Sequence, residues 1–163
     1  MIDVPVLEAR PRTFQSENWI LDPGVYWKRV GTVRAVDLAP FVDNVGPLWL
    51  NAGSTRKGRN DEIHVDLANK LDSPLALVHV AGITIAVFSP GAAFGDPKRR
   101  VQAHFELGGD GYRLWVTDPV YERQFLAQAD GEYRLGPCFL TISLGEPYKD
   151  HVYKLVAAII EAT

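Results

Sequence analysis

The sequence has little of what several protein classes require. It has one cysteine, Cys138, among 163 residues, which excludes an intrachain disulfide and a multi-cysteine zinc site. No run approaches the roughly 18 apolar residues of a membrane-spanning helix, and the N-terminus lacks a basic stretch followed by an apolar one, the pattern of a signal sequence. These absences predict a soluble cytoplasmic protein with no membrane partner.

An excess of positive charge is also missing. Seventeen Lys and Arg residues against twenty Asp and Glu give a net charge of −3, whereas a strongly basic surface is typical of proteins that bind nucleic acid avidly. Any polyanion site must therefore be a local patch. Glycine and proline are plentiful, at 14 and 11 residues, and 47% of the chain is hydrophobic. This composition favours a folded domain built from many short elements.

The first third of the chain is irregular because proline and glycine interrupt it repeatedly. It contains Phe14, Trp19, Tyr26 and Trp27, which carry enough apolar area to dock on a neighbouring core. We therefore predict that residues 1–72 form an N-terminal segment that packs on the rest of the protein and buries these aromatic side chains.

One helix is predicted within this segment. Ile63, Leu67 and Leu71 recur at intervals of four residues, which marks one face of a helix. We expect a helix over roughly residues 61–71, with Asn60 or Asp61 as its N-cap.

The loop before this helix has the G-x-x-x-x-G spacing of a phosphate-binding loop, from Gly53 to Gly58. Arg59-Asn60 stands where such a loop has Lys followed by Ser or Thr, so NTP hydrolysis is not expected. A simple anion site at the helix start is the remaining functional hypothesis, and a solvated polar loop is the alternative. The candidate anion-binding residues are Ser54, Arg56, Lys57 and Arg59.

The second part of the chain, residues 73–163, is predicted to be rich in strands. Residues 75–80 and 83–88 are apolar runs separated by Ala81-Gly82, which make either a tight hairpin or one long strand bent at the glycine. Residues 101–107 and 112–117 alternate between apolar and polar on either side of a glycine-rich turn. That pattern predicts a hairpin.

Asp118 directly before Pro119 predicts the start of a short helix that reaches Ala127, and two further strands follow it. If residues 75–88 count as one strand, this is the element order of an OB fold. The prediction is a mainly β protein, with a five-stranded OB-like barrel over residues 73–163. One short helix lies between strands three and four, and an irregular N-terminal segment carries one helix. Another small barrel, or a sandwich with one covering helix, is the alternative.

Several stretches, in order over most of the chain, carry a family resemblance. They are residues 15–23 (QSENWILDP), 26–27 (YW) with 30–31 (VG), 48–49 (LW) followed by 54–61 (STRKGRND), 94–100 (FGDPKRR), 116–119 (VTDP), and 143–147 (SLGEP) leading into 153–158 (YKLVAA). With these stretches the chain resembles the prokaryotic dual OB domain-containing proteins. The resemblance implies an OB-like β-barrel and a role in binding nucleic acid or another ligand, and it implies no catalytic residues.

Members of that family usually carry a further N-terminal stretch before the segment that is similar to residues 3–6. The resemblance therefore implies that residues 1–72 are a remnant or partial first OB-like unit, or that the chain is a fragment or begins late.

In an OB fold, ligands bind the outer face of strands two and three and the loops beside it. The candidate nucleic-acid-binding residues at these places are Lys98, Arg99, Arg100, Arg113, Trp115, Tyr148 and Lys149. A tryptophan beside an arginine suits base stacking in a single-strand groove. The alternative is that the N-terminal segment covers Trp115.

No catalytic constellation is found in the sequence, and the four histidines lack metal-ligand spacing. We therefore predict a non-enzymatic binding module, with no catalytic residue, metal or cofactor, whose favoured partner is single-stranded DNA or RNA. The alternatives are a protein-interaction subunit with a protein partner, and a small-ligand or nucleotide sensor that uses loop 53–60.

Overall fold

The computed structural model describes residues 1–162 and is mainly β. Over that range the strands are β1 (Ile2–Asp3), β2 (Val6–Ala9), β3 (Trp19–Leu21), β4 (Lys28–Arg29), β5 (Glu62–His64), β6 (Leu75–Val80), β7 (Ile83–Phe88), β8 (Arg100–Leu107), β9 (Asp110–Val116), β10 (Gly131–Leu135), β11 (Cys138–Leu144) and β12 (His151–Glu161). The helices are α1 (Val65–Ala68), α2 (Pro119–Leu126) and two short 3-10 helices, Ala35–Phe41 and Ala92–Phe94. No helix in this part of the chain is long and apolar enough to cross a membrane.

One sheet contains eight of these strands. Its order is β10-β7-β8-β9-β12-β11-β6, and β5 pairs with β12 beside this path. Neighbours are antiparallel except β9 and β12, which run parallel where Trp115 pairs with Leu155. The remaining strands form two separate two-stranded sheets, β1 with β4 and β2 with β3.

The sheet departs from the five strands that the sequence predicts. In the described chain β6 pairs with β11 and β7 with β10, so the tight hairpin over residues 75–88 is wrong. Residues Gly131–Leu135 form strand β10, which the predicted order of five strands does not include. Breaks at Ala81-Gly82 and at Gly136-Pro137 divide two long runs into four strands. A Cβ atom on Gly82 would lie 3.1 Å from the Leu135 carbonyl oxygen, so the two breaks approach each other closely.

The hairpin of β8 and β9 confirms the predicted alternation. Tyr112, Leu114 and Val116 of β9 are buried, whereas Arg113 is exposed and Trp115 is half-buried. The inward side chains join the main hydrophobic core, to which β6, β7, β11 and β12 also contribute.

The predicted helix after Asp118 is confirmed as α2. One Asp118 carboxylate oxygen accepts the N–H groups of Val120 and Tyr121 at 2.9 and 3.2 Å. The other oxygen accepts the N–H of Ile159 at 3.0 Å. The cap therefore also ties the helix start to β12, and Phe125 of the helix packs into the main core.

The helix predicted over residues 61–71 is mostly wrong. Residues 62–64 are strand β5, in which Ile63 pairs with Val152 of β12 and is fully buried. The helix is limited to the four residues of α1, and its N-cap is His64, whose Nδ1 accepts the N–H of Asp66 at 3.3 Å. Pairing with a distant strand overrides the local helical spacing here.

The predicted burial of the N-terminal aromatic residues is also wrong for most of them. Trp19, Tyr26 and Trp27 are 55%, 95% and 57% exposed. Phe14 is buried, in a second small core that also holds Ile63.

Candidate functional site

Loop 53–60 pairs with the edge of β9 and reaches over the outer face of β8. The backbone N–H groups of Arg59 and Arg113 each donate to the other residue's carbonyl oxygen, at 3.2 and 3.1 Å. Gln102 Nε2 of β8 donates to the carbonyl oxygen of Lys57 at 3.0 Å. The loop therefore covers Gln102, which is 2% exposed. The predicted anion loop and the predicted nucleic-acid face are thus parts of one surface.

The interior of the loop is occupied by the carboxylate of Asp61. The Thr55 N–H donates to Asp61 Oδ1 at 2.7 Å and the Thr55 hydroxyl to Oδ2 at 2.6 Å. The N–H groups of Gly58 and Asn60 donate to the hydroxyl oxygens of Thr55 and Ser54. These N–H groups have partners within the loop, and a strand follows where a helix start was predicted. The backbone cradle is therefore closed by the protein's own carboxylate, and an anion would have to be held by side chains.

Replacing Gly58 by alanine is expected to destabilise the loop. An added Cβ would overlap the Asp61 carboxylate, so the hydrogen bonds from Thr55 must shift. We expect the free energy of unfolding to fall by about 1–3 kcal/mol, measured by urea denaturation. Gly46→Ala is the matched control, because a Cβ there meets no atom within 4 Å. Equal stability of the two variants would contradict this account of the loop.

Arg56 and Lys57 line two concavities. The first has a volume of about 640 Å³ and is lined by residues that include Arg56, Lys57, Phe88, Gln102, His104, Arg113, Asp130 and Glu132. The second has a volume of about 540 Å³ and is lined by residues that include Arg56, Lys57, Arg100, Trp115, Glu146, Tyr148 and Tyr153. We call the two together the basic groove, since Arg56, Lys57, Arg100 and Arg113 line it.

Aromatic rings lie among these cations. Trp115 lies beside Phe88, with ring centroids 5.8 Å apart. The guanidinium carbon of Arg100 is 5.7 Å from the Trp115 ring centroid, and that of Arg56 is 5.2 Å from the Phe94 centroid. The groove therefore offers both flat apolar faces and positive charge to a ligand.

The side chains of Gln102 and His104 on β8 form a hydrogen bond with each other. Gln102 Nε2 donates to the backbone, so its Oε1 accepts from His104 Nε2 at 2.9 Å. Burial, and then the charge of Arg113, lower the pKa of His104. His104 is therefore neutral at pH 7 and adds no positive charge to the groove.

A family model for the dual OB-containing domain matches residues 1–159. The chain belongs to the dual OB-containing domain family. The family predicted from the sequence motifs is thereby confirmed. Neither a curated protein nor a solved structure matches the chain.

In this dual OB-containing domain the structure brings most of the predicted binding residues to the basic groove. Arg100, Trp115 and Tyr148 line its second concavity, and Arg113 lines the first. Lys149 lies beside the groove, with its Nζ 5.2 Å from the centroid of the Tyr148 ring.

Three predicted residues are placed elsewhere or held by the fold. The Arg99 guanidinium donates to Asp130 at 2.6 Å and to the carbonyl oxygens of Leu126 and Gln128 at 2.8 and 2.6 Å, so it fastens the end of α2. Lys98 is exposed on the loop that precedes β8. The Arg59 guanidinium lies against Gly111 of β9, where an added Cβ would be 3.1 Å away.

Lys154 of β12 is 1% exposed and is not among the residues predicted from the sequence. Its Nζ donates to the Leu50 carbonyl oxygen at 2.8 Å and to Asn51 Oδ1 at 3.3 Å, and it lies 5.5 Å from the Tyr112 ring centroid. Burial lowers its pKa to about 8, against the opposing effect of Asp61. Its position between two inward valines of the strand, Val152 and Val156, was the available signal.

The thiol of Cys138 is buried. Burial, and then Glu161, raise the pKa of Cys138 to about 11, so the thiol is protonated at neutral pH. Among residues 1–162, no group of three or more His, Cys, Asp and Glu side chains is placed to hold a metal ion.

Proposed function

We propose that this dual OB-containing domain is a non-enzymatic module that binds single-stranded DNA or RNA in the basic groove. The observation that carries the proposal is that four cationic side chains and Trp115, from loop 53–60 and strands β8 and β9, line two concavities that share Arg56 and Lys57. Flat rings and positive charge in one groove are what single-stranded nucleic acids require.

We also propose that the eight-stranded sheet is an OB-like barrel in which β6 with β7, and β10 with β11, each act as one broken strand. The register supports this view, because Val80 pairs with Cys138 and Ile83 with Leu135, so both halves keep one alignment across the breaks. Apart from β5, which pairs with β12 beside the path, five strands then follow a Greek-key order, with the third parallel to the fifth. In that fold, the outer face of the second and third strands is the usual oligonucleotide surface.

The charges around the groove predict modest affinity. The whole chain carries a net charge of −3, and the carboxylates of Glu132 and Glu146 line the groove. These carboxylates repel phosphates at short range, so we expect the phosphate backbone to run along Arg56 and Lys57. Because phosphate binding by these cations releases counterions, binding should weaken as salt is raised.

Stacking on Trp115 should supply the part of the affinity that does not depend on salt. Its ring lies beside Phe88 and Arg100, so its orientation is restrained before a base arrives. A stacked base contributes about 1–3 kcal/mol.

The direct test is fluorescence anisotropy with short DNA and RNA oligonucleotides over a series of salt concentrations. We expect Lys57→Gln with Arg100→Gln to flatten the log–log salt slope by about 0.7 for each phosphate that the variant no longer neutralises. Trp115→Leu should weaken binding by about 1–3 kcal/mol and leave the slope nearly unchanged.

Arg123→Gln is the matched control, because Arg123 is an exposed arginine on α2, outside the basic groove. It should lower the slope much less than the groove variants. The proposal is overturned if neither oligonucleotide binds at low salt with tens of micromolar protein, or if R123Q acts like the groove variants.

A further inference from the structure

Lys154 of β12 contacts the chain on both sides of loop 53–60. Its Nζ donates to the Leu50 carbonyl oxygen at 2.8 Å and to Asn51 Oδ1 at 3.3 Å, just before the loop. Its backbone N–H donates to the Asp61 carbonyl oxygen at 2.8 Å, just after the loop. One residue therefore fixes both ends of the loop, the first end through its side chain and the second through its backbone.

The segment before the loop is held mainly by side chains. Residues 50–52 belong to no helix or strand, and no backbone N–H of residues 1–162 donates to the Leu50 carbonyl oxygen. The Tyr112 hydroxyl donates to Asn51 Oδ1 at 3.0 Å. The position of Leu50 and Asn51 therefore depends on Tyr112 from β9 and on Lys154 from β12.

A buried ammonium group is an unfavourable way to fill this place. Lys154 is 1% exposed, and no ion pair within residues 1–162 includes it. Burial of a charged group without an opposite charge opposes folding, whereas a methionine of similar length carries no charge to desolvate. What the ammonium group adds is a pair of hydrogen bonds to the start of the loop.

The loop carries two of the four cations of the basic groove. Arg56 and Lys57 line both concavities, and Arg56 directly follows Thr55, which donates two hydrogen bonds to the Asp61 carboxylate. A shift at the start of the loop therefore moves the residues that present these charges.

We infer that the Lys154 side chain is a positioning residue of the basic groove, which fixes the start of loop 53–60 and thereby places Arg56 and Lys57 against the ligand. Its part in binding rests on the proposed function. Lys154 is too deeply buried to contact a phosphate itself, so it acts only through the loop.

The first test is amide hydrogen exchange in the full chain without oligonucleotide. Lys154→Met removes the two side-chain hydrogen bonds and keeps the backbone bond to Asp61. We expect the N–H groups of Thr55 and Gly58 to exchange about fivefold faster or more in K154M. Val156→Ala is the matched control, since it shortens a buried valine two residues further along β12, and it should leave both rates within about twofold of wild type. Unchanged loop exchange in K154M overturns the inference.

The second test is a double-mutant cycle on oligonucleotide affinity, measured by fluorescence anisotropy. K154M should weaken binding about fivefold or more in the wild-type chain, and less than about twofold in a chain that already carries Arg56→Gln and Lys57→Gln. K154M should also flatten the salt slope, because fewer phosphates are neutralised, whereas V156A should leave the slope unchanged. Equal losses in both chains overturn the inference, because Lys154 would then act independently of the loop cations.

The two tests separate the role of Lys154 from the proposed function. If wild type binds no oligonucleotide, the proposed function fails, and loop exchange alone decides whether Lys154 positions the loop. If wild type binds but K154M leaves loop exchange unchanged, the proposed function stands and the positioning role falls. Thermal unfolding establishes that each variant is folded. Should K154M not fold, Asn51→Ala removes one acceptor of the same ammonium group and should speed loop exchange in its place.

Discussion

Phe105→Ala is expected to lower the free energy of unfolding by about 3–5 kcal/mol, because the variant forgoes the transfer free energy of the ring and leaves a cavity. Phe105 is 6% exposed and stacks on Tyr112 of the neighbouring strand, with ring centroids 5.3 Å apart. Both rings belong to the main core, so the surrounding side chains have little freedom to close the gap. Urea denaturation of the variant and the wild-type chain measures the difference.

Glu106→Ala is the control for this prediction, because Glu106 is the next residue on β8 and is exposed. It should change stability by less than about 0.5 kcal/mol. A decrease below about 1 kcal/mol for F105A would mean that Phe105 does not lie in a closely packed core.

Lys154 is expected to make the stability of the protein rise with pH. The pKa of its amine is about 8 in the folded chain, against an ordinary value of 10.5. Between these two values the unfolded chain binds more protons than the folded chain, so raising the pH favours the folded state. Relative to Lys154→Met, the wild-type chain should gain up to about 3 kcal/mol between pH 8 and pH 10.5. Below pH 8 the difference between the two should be constant.

Urea denaturation at intervals of pH, with wild type and variant in parallel, measures this gain. The comparison cancels the titration of the other groups, and Lys70→Met controls for the removal of an exposed lysine. A wild-type advantage that falls with pH, or that does not change, would contradict the burial of a charged amine at this position.

The basic groove contains side chains of loop 53–60 as well as of strands β8 and β9. Its shape therefore depends on the Asp61 carboxylate, which the loop encloses. Asp61 holds loop 53–60 closed, and the loop supplies Arg56 and Lys57 to both concavities. We therefore expect variants that disturb Asp61 to weaken oligonucleotide binding without touching a binding side chain.

The sequence by itself determined the elements whose signals are local. The alternation in residues 101–116 predicted the β8–β9 hairpin, with Trp115 on the outer face, because strand pleating repeats every two residues. The Asp118-Pro119 pair predicted the start of α2, because a capping carboxylate acts on N–H groups two and three residues away. The ordered motifs identified the family.

Only the tertiary structure decided features that depend on distant partners. Ile63 lies in a strand because Val152 pairs with it, and loop 53–60 joins the basic groove because Arg59 pairs with Arg113. Arg99, a predicted binding residue, instead donates hydrogen bonds to carbonyl oxygens at the end of α2. In each case a hydrogen bond or a backbone pairing with a residue tens of positions away outweighs the local preference of a short segment. The sequence of that segment alone does not indicate which distant residue it pairs with.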